Sequence, residues 1–513
     1  MSGEDAPPLP SQAEQALALL ARTAASVGAE AYAVGGYVRD RLIGAPMADV
    51  DVLVTGGLRE IAELVGAESR AAVVTLRDEH PTVLLVFADG SHIDVSLPRG
   101  QTPPVPQREP SPAAQDVACD LRHRDFTINA IALPLEATCA ADWRKRVLDP
   151  TGGRADLECG LVRPTGPEVW RADPLRLLRA VRLVAQLGFD LHPTAESGIR
   201  EHAGLITSVA PERIRDELCA LLANADAPTW LARAADLGLL FEILPELAPL
   251  QRLAQGGYHH LDGWAHALAV TQQVHELVAG APGIGRAHQR QLRSLFAQPL
   301  AGERPRLVLL KLAALMHDVG KPSTVATDDE GHTHFYGHER AGAEMAREAG
   351  RRLRLARREA GYLEAVTEAH MYPAMLARQQ DLSRRAGHRF FRRTRDHAPD
   401  VLLLAWADRL SVRGPAAIPE HIERTQQVIR RLLAEWLDRG PLSHPQPPVS
   451  ARGIMRRYGL QSGPAVGRLV EALSCRHAER PFLDAQEAWA FLDRVVGRPP
   501  PDDTGLRDDD EER

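Results

Sequence analysis

The run Ala33-Val34-Gly35-Gly36-Tyr37-Val38-Arg39-Asp40, with Asp49-Val50-Asp51 shortly after it, restricts what this chain can fold into more than any other stretch. An apolar strand ends in paired glycines, a short helix carries Arg39, and a second apolar strand holds alternating carboxylates. Side chains two apart in a strand share a face, so Asp49 and Asp51 project together while Val50, Val52 and Val54 pack behind them. Neighbouring carboxylates repel unless a cation lies between them. Closely set oxygen ligands suit Mg²⁺, which also accepts phosphate oxygens. Gly35 and Gly36 leave backbone N–H groups open to a triphosphate, and Arg39 can pair with the same phosphates. No Gly-Lys-Ser/Thr closes the turn, which excludes a Walker A loop. Taken singly, Asp-Val-Asp is usually the polar face of a strand and Gly-Gly a turn. Their conjunction implies metal-assisted nucleotidyl transfer.

At 513 residues the chain has room for three or more domains. Residues 1–24 read as a flexible N-terminal lead. Residues 25–161 read as an α/β head with strands at 49–54, 72–76, 83–87 and 91–97, the last two joined at the Asp89-Gly90 hairpin signal. Residues 101–112, rich in proline and polar side chains, are expected to form a mobile loop. Past Pro164 the strand signals end and apolar residues recur at helical spacing. That helical part divides into a neck (162–255), a histidine-rich segment (256–418), a C-terminal RNA-contacting part (419–497) and a disordered acidic tail (498–513). Breaks at Gln255-Gly256-Gly257, Pro415 to Pro419 and Pro441 to Pro448 mark the joints. The tail carries much of the acid behind the net charge of −7, so local patches say more about nucleic-acid binding than the average does. With no apolar run of about eighteen residues and no basic, apolar leader, a cytoplasmic protein without a membrane partner is expected. Cys119, Cys139, Cys159, Cys219 and Cys475 are scattered singly, against a disulfide framework or a Cys-ligated zinc.

A second cluster, Arg122-His123-Arg124-Asp125-Phe126-Thr127-Ile128-Asn129-Ala130, reads as the start of a helix. Asp125, Ile128 and Asn129 fall within one turn there and Arg124 borders them. Such a set can grip ribose hydroxyls and phosphates, or it can be an ordinary charged helix cap. Two further stretches follow in order: Asp173-Pro-Leu-Arg176-Leu-Leu-Arg179-Ala-Val-Arg182 and Val209-Ala-Pro-Glu212-Arg213-Ile-Arg-Asp-Glu217-Leu. In these four motifs the chain resembles the class II CCA-adding tRNA nucleotidyltransferase and poly(A) polymerase family.

That resemblance implies an α+β protein, with a polymerase-β-like nucleotidyltransferase head followed by an all-α body. It makes Asp49 and Asp51 ligands of catalytic Mg²⁺, with Asp94 in Ser91-His-Ile-Asp94-Val as the candidate third carboxylate. Gly35, Gly36 and Arg39 would meet the triphosphate, and Arg124, Asp125 and Asn129 would bound the ribose. Asp173 and Arg176 would read the base, with Arg179 and Arg182 at phosphates. The four recur every three residues, which predicts a slowly rotating stripe on one helix; a solvated helix face with an ion pair is the competing reading. A carboxylate accepts from an exocyclic amine while a guanidinium donates to ring acceptors, so the pair matches both C and A. Ala172 stands where the family usually has Glu, and His123 where an arginine is common, which opens the question of what braces Asp173.

In the histidine-rich segment, His266, His317-Asp318 and Asp408, with His338 and His370 between them, resemble the HD superfamily pattern. Imidazoles with carboxylates suit a divalent metal, of identity not set by sequence, and a metal-bound water can attack a phosphate ester. Some members of the resembled family carry such an HD domain, where it resembles a phosphohydrolase for cyclic-phosphate or phosphomonoester RNA ends, which makes that a candidate second activity here. Two basic runs, 351–358 and 384–395, read either as RNA-tracking surfaces, with Phe390 and Phe391 stacking on bases, or as charged helix faces over an apolar core; for the first run the second reading is preferred. Ile454 to Leu469 reads as helix, Gly459 stop and Pro464 restart. The expected function is addition of C and/or A, all or part of CCA, to the 3′ end of tRNA or another RNA from CTP and ATP. A poly(A) polymerase, or an HD phosphohydrolase with a vestigial head, is the rival.

Overall fold

The computed structural model describes residues 11–46, 50–76, 81–98, 113–254, 261–329, 331–379, 382–414, 418–439 and 447–497. Asp49, the loop expected at 101–112, the breaks at 255–257 and 415–417, and the acidic tail lie outside the described residues. Two compact units divide the chain, Met1–Pro245 and Glu246–Arg513.

The first unit is built on one six-stranded sheet. Its strands are β1 (Ala31–Val34), β2 (Val50–Val54), β3 (Ala72–Leu76), β4 (Thr82–Val86), β5 (His92–Ser96) and β6 (Ala132–Pro134), ordered β3-β4-β5-β2-β1-β6. The β2–β5 pair is parallel and every other neighbouring pair is antiparallel. Parallel neighbours need a long crossover; the helix Leu58–Ser69 and the β3–β4 hairpin fill it. Alternation places Val83, Leu85, Ile93 and Val95 in the core, leaving His92, Asp94 and Ser96 on the other face. The four expected strands appear within a residue or two of their anticipated limits. Gly90 turns the β4–β5 hairpin with a positive φ of 84°.

Three local expectations change. Arg124 to Ala130 does not begin a helix: the helix Ala113–Arg122 ends before it, and only Thr127–Asn129 forms a single 3₁₀ turn. Asp173 does not share a helix with Arg176, Arg179 and Arg182, because it terminates the short helix Val169–Ala172 while a new helix runs Arg176–Leu187. The residue before a proline is driven out of helical geometry, and Asp173, preceding Pro174, takes an extended conformation of φ −152° and ψ 98°. Finally, strands do not end at Pro164. Asp190–Leu191 pairs with Leu161–Val162, and Ala326–Thr327 pairs with Thr333–His334, in pieces too short for periodicity to register.

Among the described residues the second unit is helical apart from that last hairpin. Its core includes the helix Ala398–Leu410, in which Val401 to Ala407 is continuously buried. At the C-terminal end, Ala451–Tyr458 stops at Gly459 with φ 64°, and Pro464 opens the helix Pro464–Glu479, as anticipated. Ile454, Leu473, Phe482 and Leu492 close a small core there. The five cysteines form no disulfide. Among the described residues, no helix is long and apolar enough to cross a membrane.

Candidate active site and candidate metal centre

Parallel pairing of β2 with β5 sets Asp51 directly beside Asp94. Neighbouring strands lie about 4.8 Å apart and register partners share a face, so two carboxylates from distant parts of the sequence meet at one point. The Oδ1 of Asp94 is buried, unlike the exposed strand aspartate that is the ordinary default. Gly35 leads into the helix Gly36–Ile43 with φ 70° and ψ −138°. A Cβ on Gly35 would lie 3.1 Å from Asp51 Oδ2 and 3.2 Å from Arg124 Nη1. Glycine therefore leaves open a cradle bounded by a carboxylate and a guanidinium. The paired oxygens beside it fit a hard divalent cation of the Mg²⁺ kind.

Hydrogen bonds link the other expected residues in a chain. Arg39, almost fully buried, donates to Asp40 Oδ1 at 2.7 Å and to Asn129 Oδ1 at 2.8 Å. Asn129 donates to Asp125 Oδ1 at 3.1 Å, and Arg179 reaches Asp125 Oδ2 at 3.5 Å. Arg179 also donates to Glu217 at 2.9 Å, and Arg182 donates to the other oxygen of the same carboxylate. Arg124 is anchored on Asp120 at 3.0 Å. Arg176 is 7% exposed and donates to the carbonyl oxygens of Val169 and His123, at 3.4 and 3.2 Å. The expected stripe is thus dispersed. Asp173 is about a quarter exposed, Arg176 is turned inward, and Arg179 and Arg182 are gathered on Glu217.

In the second unit, all six expected residues converge from five helical segments. His266 lies on the helix Gly263–Gly280, His317-Asp318 follow Arg306–Met316, His338 opens His338–Arg352, His370 follows Arg357–Ala369, and Asp408 lies on Ala398–Leu410. Two groups of ligand atoms, His266/His317/Asp318 and Asp318/His338/His370, each lie within 4.8 Å of one another and share Asp318. His266 Nε2 lies 3.1 Å from Asp408 Oδ1 and 3.7 Å from Asp318 Oδ2. His317, His338 and His370 each direct Nδ1 at the carbonyl three residues earlier, at 2.7, 2.8 and 2.6 Å. That bond fixes Nδ1 as the protonated nitrogen and leaves Nε2 as the ligand atom; the buried Nε2 of His317 lies 3.1 Å from Asp318 Oδ2. Burial drives His370 down to about 3, reinforced by His317 and His338, so its ring is neutral near pH 7. Burial raises Asp318, but His317 and Lys321, whose Nζ is 2.5 Å away, outweigh it and hold the carboxyl well below the usual range. Imidazole nitrogens beside ionised carboxylates are the donor set a divalent metal requires.

Comparison with known proteins agrees along the chain. Residues 31–163 match the poly A polymerase head domain, 188–251 the probable RNA and SrmB-binding site of polymerase A, and 264–413 the HD domain. The A-adding tRNA nucleotidyltransferase of Deinococcus radiodurans is 35% identical over 476 residues, covering 91% of this chain and 96% of that protein. The chain belongs to the tRNA nucleotidyltransferase family. The CC-adding tRNA nucleotidyltransferase of Thermus thermophilus is 31% identical over 470 residues, covering 90% of this chain and 93% of that protein. The Thermotoga maritima CCA-adding enzyme complexed with tRNA shares the fold, with a TM-score of 0.58 at 18% identity over 96% of this chain and 99% of that one. Both the head and the HD domain belong to metal-dependent families.

Some residues around these tRNA nucleotidyltransferase sites have no role assigned by the sequence, although Arg213 and Glu217 lie in its fourth motif. Asp120, Glu217 and Arg213 orient site residues through contacts across 4 to 40 positions. Only the recurrence of Arg213 and Glu217 one helical turn apart hints at a shared face. Phe390 and Phe391 are buried, which rules out base stacking by these rings, while Arg384, Arg385, Arg389 and Arg392 line the exposed face of their helix. Arg351 and Arg352 pair with Glu348 and Glu246, the charged helix face preferred for the first basic run. Gly320 lets two ligand-bearing segments touch: a Cβ there would lie 2.2 Å from His338 O and 2.5 Å from Gly342 N. Gly320→Ala is therefore expected to cost about 1–3 kcal/mol of stability, the usual range for overpacking, and to weaken metal binding by displacing His338. Urea unfolding and metal titration of the variant check both.

Proposed function

We propose that this protein adds C and/or A, all or part of CCA, to tRNA 3′ ends from CTP and ATP. The observation that carries this reading is the register of Asp51 with Asp94 beside the glycine-opened cradle at Gly35 and Arg124. Asp51 and Asp94, with Asp49 by motif, hold Mg²⁺ there. Bound Mg²⁺ lowers the pKa of the attacking 3′-hydroxyl and stabilises the departing pyrophosphate. Gly35 and Gly36 bring backbone N–H groups to the triphosphate, and Arg39, braced by Asp40 and Asn129, faces the same phosphates. Arg124 and Asp125 bound the ribose. Asp173 accepts from the exocyclic amine of the incoming base, with Arg176 behind it. Fixing these groups before substrate arrives is the principal contribution of the chain, since in-line transfer needs no covalent intermediate. The near full-length similarity to an A-adding relative supports terminal A as one product.

The HD centre is a second, hydrolytic site for phosphate esters at RNA ends. The convergence of six buried ligand residues favours it.

The test is incubation with tRNA lacking A, CA or CCA and each labelled triphosphate separately. One or more residues of the CCA sequence, with termination after them, is the expected product. Unlimited A addition on unrelated RNA, without C, would instead assign a poly(A) polymerase.

A further inference from the structure

Asp173 is flanked by Ala172 and Pro174, neither of which has a side chain able to hold a carboxylate. Its backbone lies in the break between two helices, with its own N–H on the carbonyl of Val169 at 3.4 Å. The support comes from forty residues away. Arg213, on the helix Pro211–Ala223, sets Nη2 2.7 Å from Asp173 Oδ2 and Nη1 3.2 Å from Oδ1. The backbone N–H of Leu175 donates to the same Oδ1 at 3.3 Å. Both carboxylate oxygens are thereby fixed by a planar fork, the geometry in which an arginine specifies direction as well as charge. The pair is open to solvent, Arg213 50% and Asp173 24% exposed, so one edge of the carboxylate stays accessible to a ligand. Arg176, the other guanidinium near this point in sequence, is buried against the backbone carbonyls of Val169 and His123.

We infer that Arg213 is a positioning residue for base selection: its bidentate pair with Asp173 holds the carboxylate in one orientation, as an acceptor, toward the incoming base. This rests on the reading of Asp173 as the base-reading group. An ionised carboxylate carries about four lone-pair sites; the fork takes one on each oxygen and the Leu175 N–H a second on Oδ1, which leaves the remaining direction of Oδ2 fixed toward a ligand. Such an acceptor receives the N4 amine of C or the N6 amine of A, and it repels O4 of U and O6 of G. A carboxylate free to rotate loses that discrimination before it loses binding. Burial raises the Asp173 carboxyl, while the hydrogen bonds and charge of Arg213 outweigh burial and keep it below its ordinary range, consistent with an acceptor-only role.

The experiment compares kcat/KM for ATP, CTP, GTP and UTP on truncated tRNA in the full-length protein and in Arg213→Ala, Arg213→Gln, Arg213→Lys and Asp173→Asn, with melting temperatures for each. Expected for Arg213→Ala and Arg213→Gln is a fall of about tenfold or more in discrimination of the native nucleotide against GTP or UTP, within the range of one lost bidentate contact. Lysine should recover part of it, since it restores charge without the fork. Equal slowing with all four nucleotides, or unchanged discrimination in a folded variant, overturns the role of Arg213. Unchanged discrimination in Asp173→Asn overturns the underlying assignment of Asp173 instead, so the two failures are distinguishable.

Discussion

Asp51→Asn is expected to slow nucleotide addition by at least about 10³-fold, equivalent to about 4 kcal/mol of lost transition-state stabilisation. The amide keeps the shape of the side chain but removes the negative charge that pairs with a divalent ion. Asp51 lies on a central strand between β5 and β1, with Val50 and Val52 buried on either side of it, so the backbone has no freedom to offer a substitute. Asp94, its register partner, is left as a single described carboxylate and cannot hold the same charge. Single-turnover extension of truncated tRNA at saturating nucleotide and Mg²⁺ measures the effect. A rate within about tenfold of wild type would mean that the acidic pair is not the catalytic centre.

Asp318→Asn is expected to weaken divalent-metal binding in the HD domain by more than about 100-fold, beyond the loss typical of groups that only orient a ligand. Asp318 is shared by both sets of converging ligand atoms and is fully buried. Removing its charge takes a ligand from each set at once and leaves the Lys321 ammonium facing a neutral amide. Metal content after dialysis against Ni²⁺, Mn²⁺ or Zn²⁺, together with hydrolysis of a cyclic-phosphate RNA end, reads the outcome. Nucleotide addition should continue at the wild-type rate, because Asp51 and Asp318 belong to different compact units. Retention of metal by a folded Asp318→Asn protein would move the centre elsewhere.

These two sites differ in how far the sequence discloses them. The six HD residues span His266 to Asp408, yet His266, His317, Asp318 and Asp408 were legible from their resemblance to the HD pattern, and His338 and His370 as the histidines between them. The Nε2 selectivity of His317, His338 and His370 was not legible, since it depends on the bond each ring makes to the carbonyl three residues back. In the head, alternation placed Asp51 and Asp94 on strand faces, but their adjacency required the parallel crossover. Spacing misled at Asp173, where a period of three read through a proline and joined two separate helices. Nor does spacing disclose that Arg179 and Arg182, read as phosphate ligands, both donate to Glu217, thirty-five residues or more away.

What the sequence determined by itself is the class of chemistry and the order of modules. Glycine, carboxylate and imidazole have narrow uses, and hydrophobic period separates sheet from helix locally. What only the tertiary structure decided is partnership: Asp51 with Asp94, Asp173 with Arg213, and Asp318 between two sets of histidines. The physical reason is that a charged side chain acquires its function from the groups a few ångströms away. In a chain folded through crossovers and helix packing, those groups come from positions that no local pattern connects.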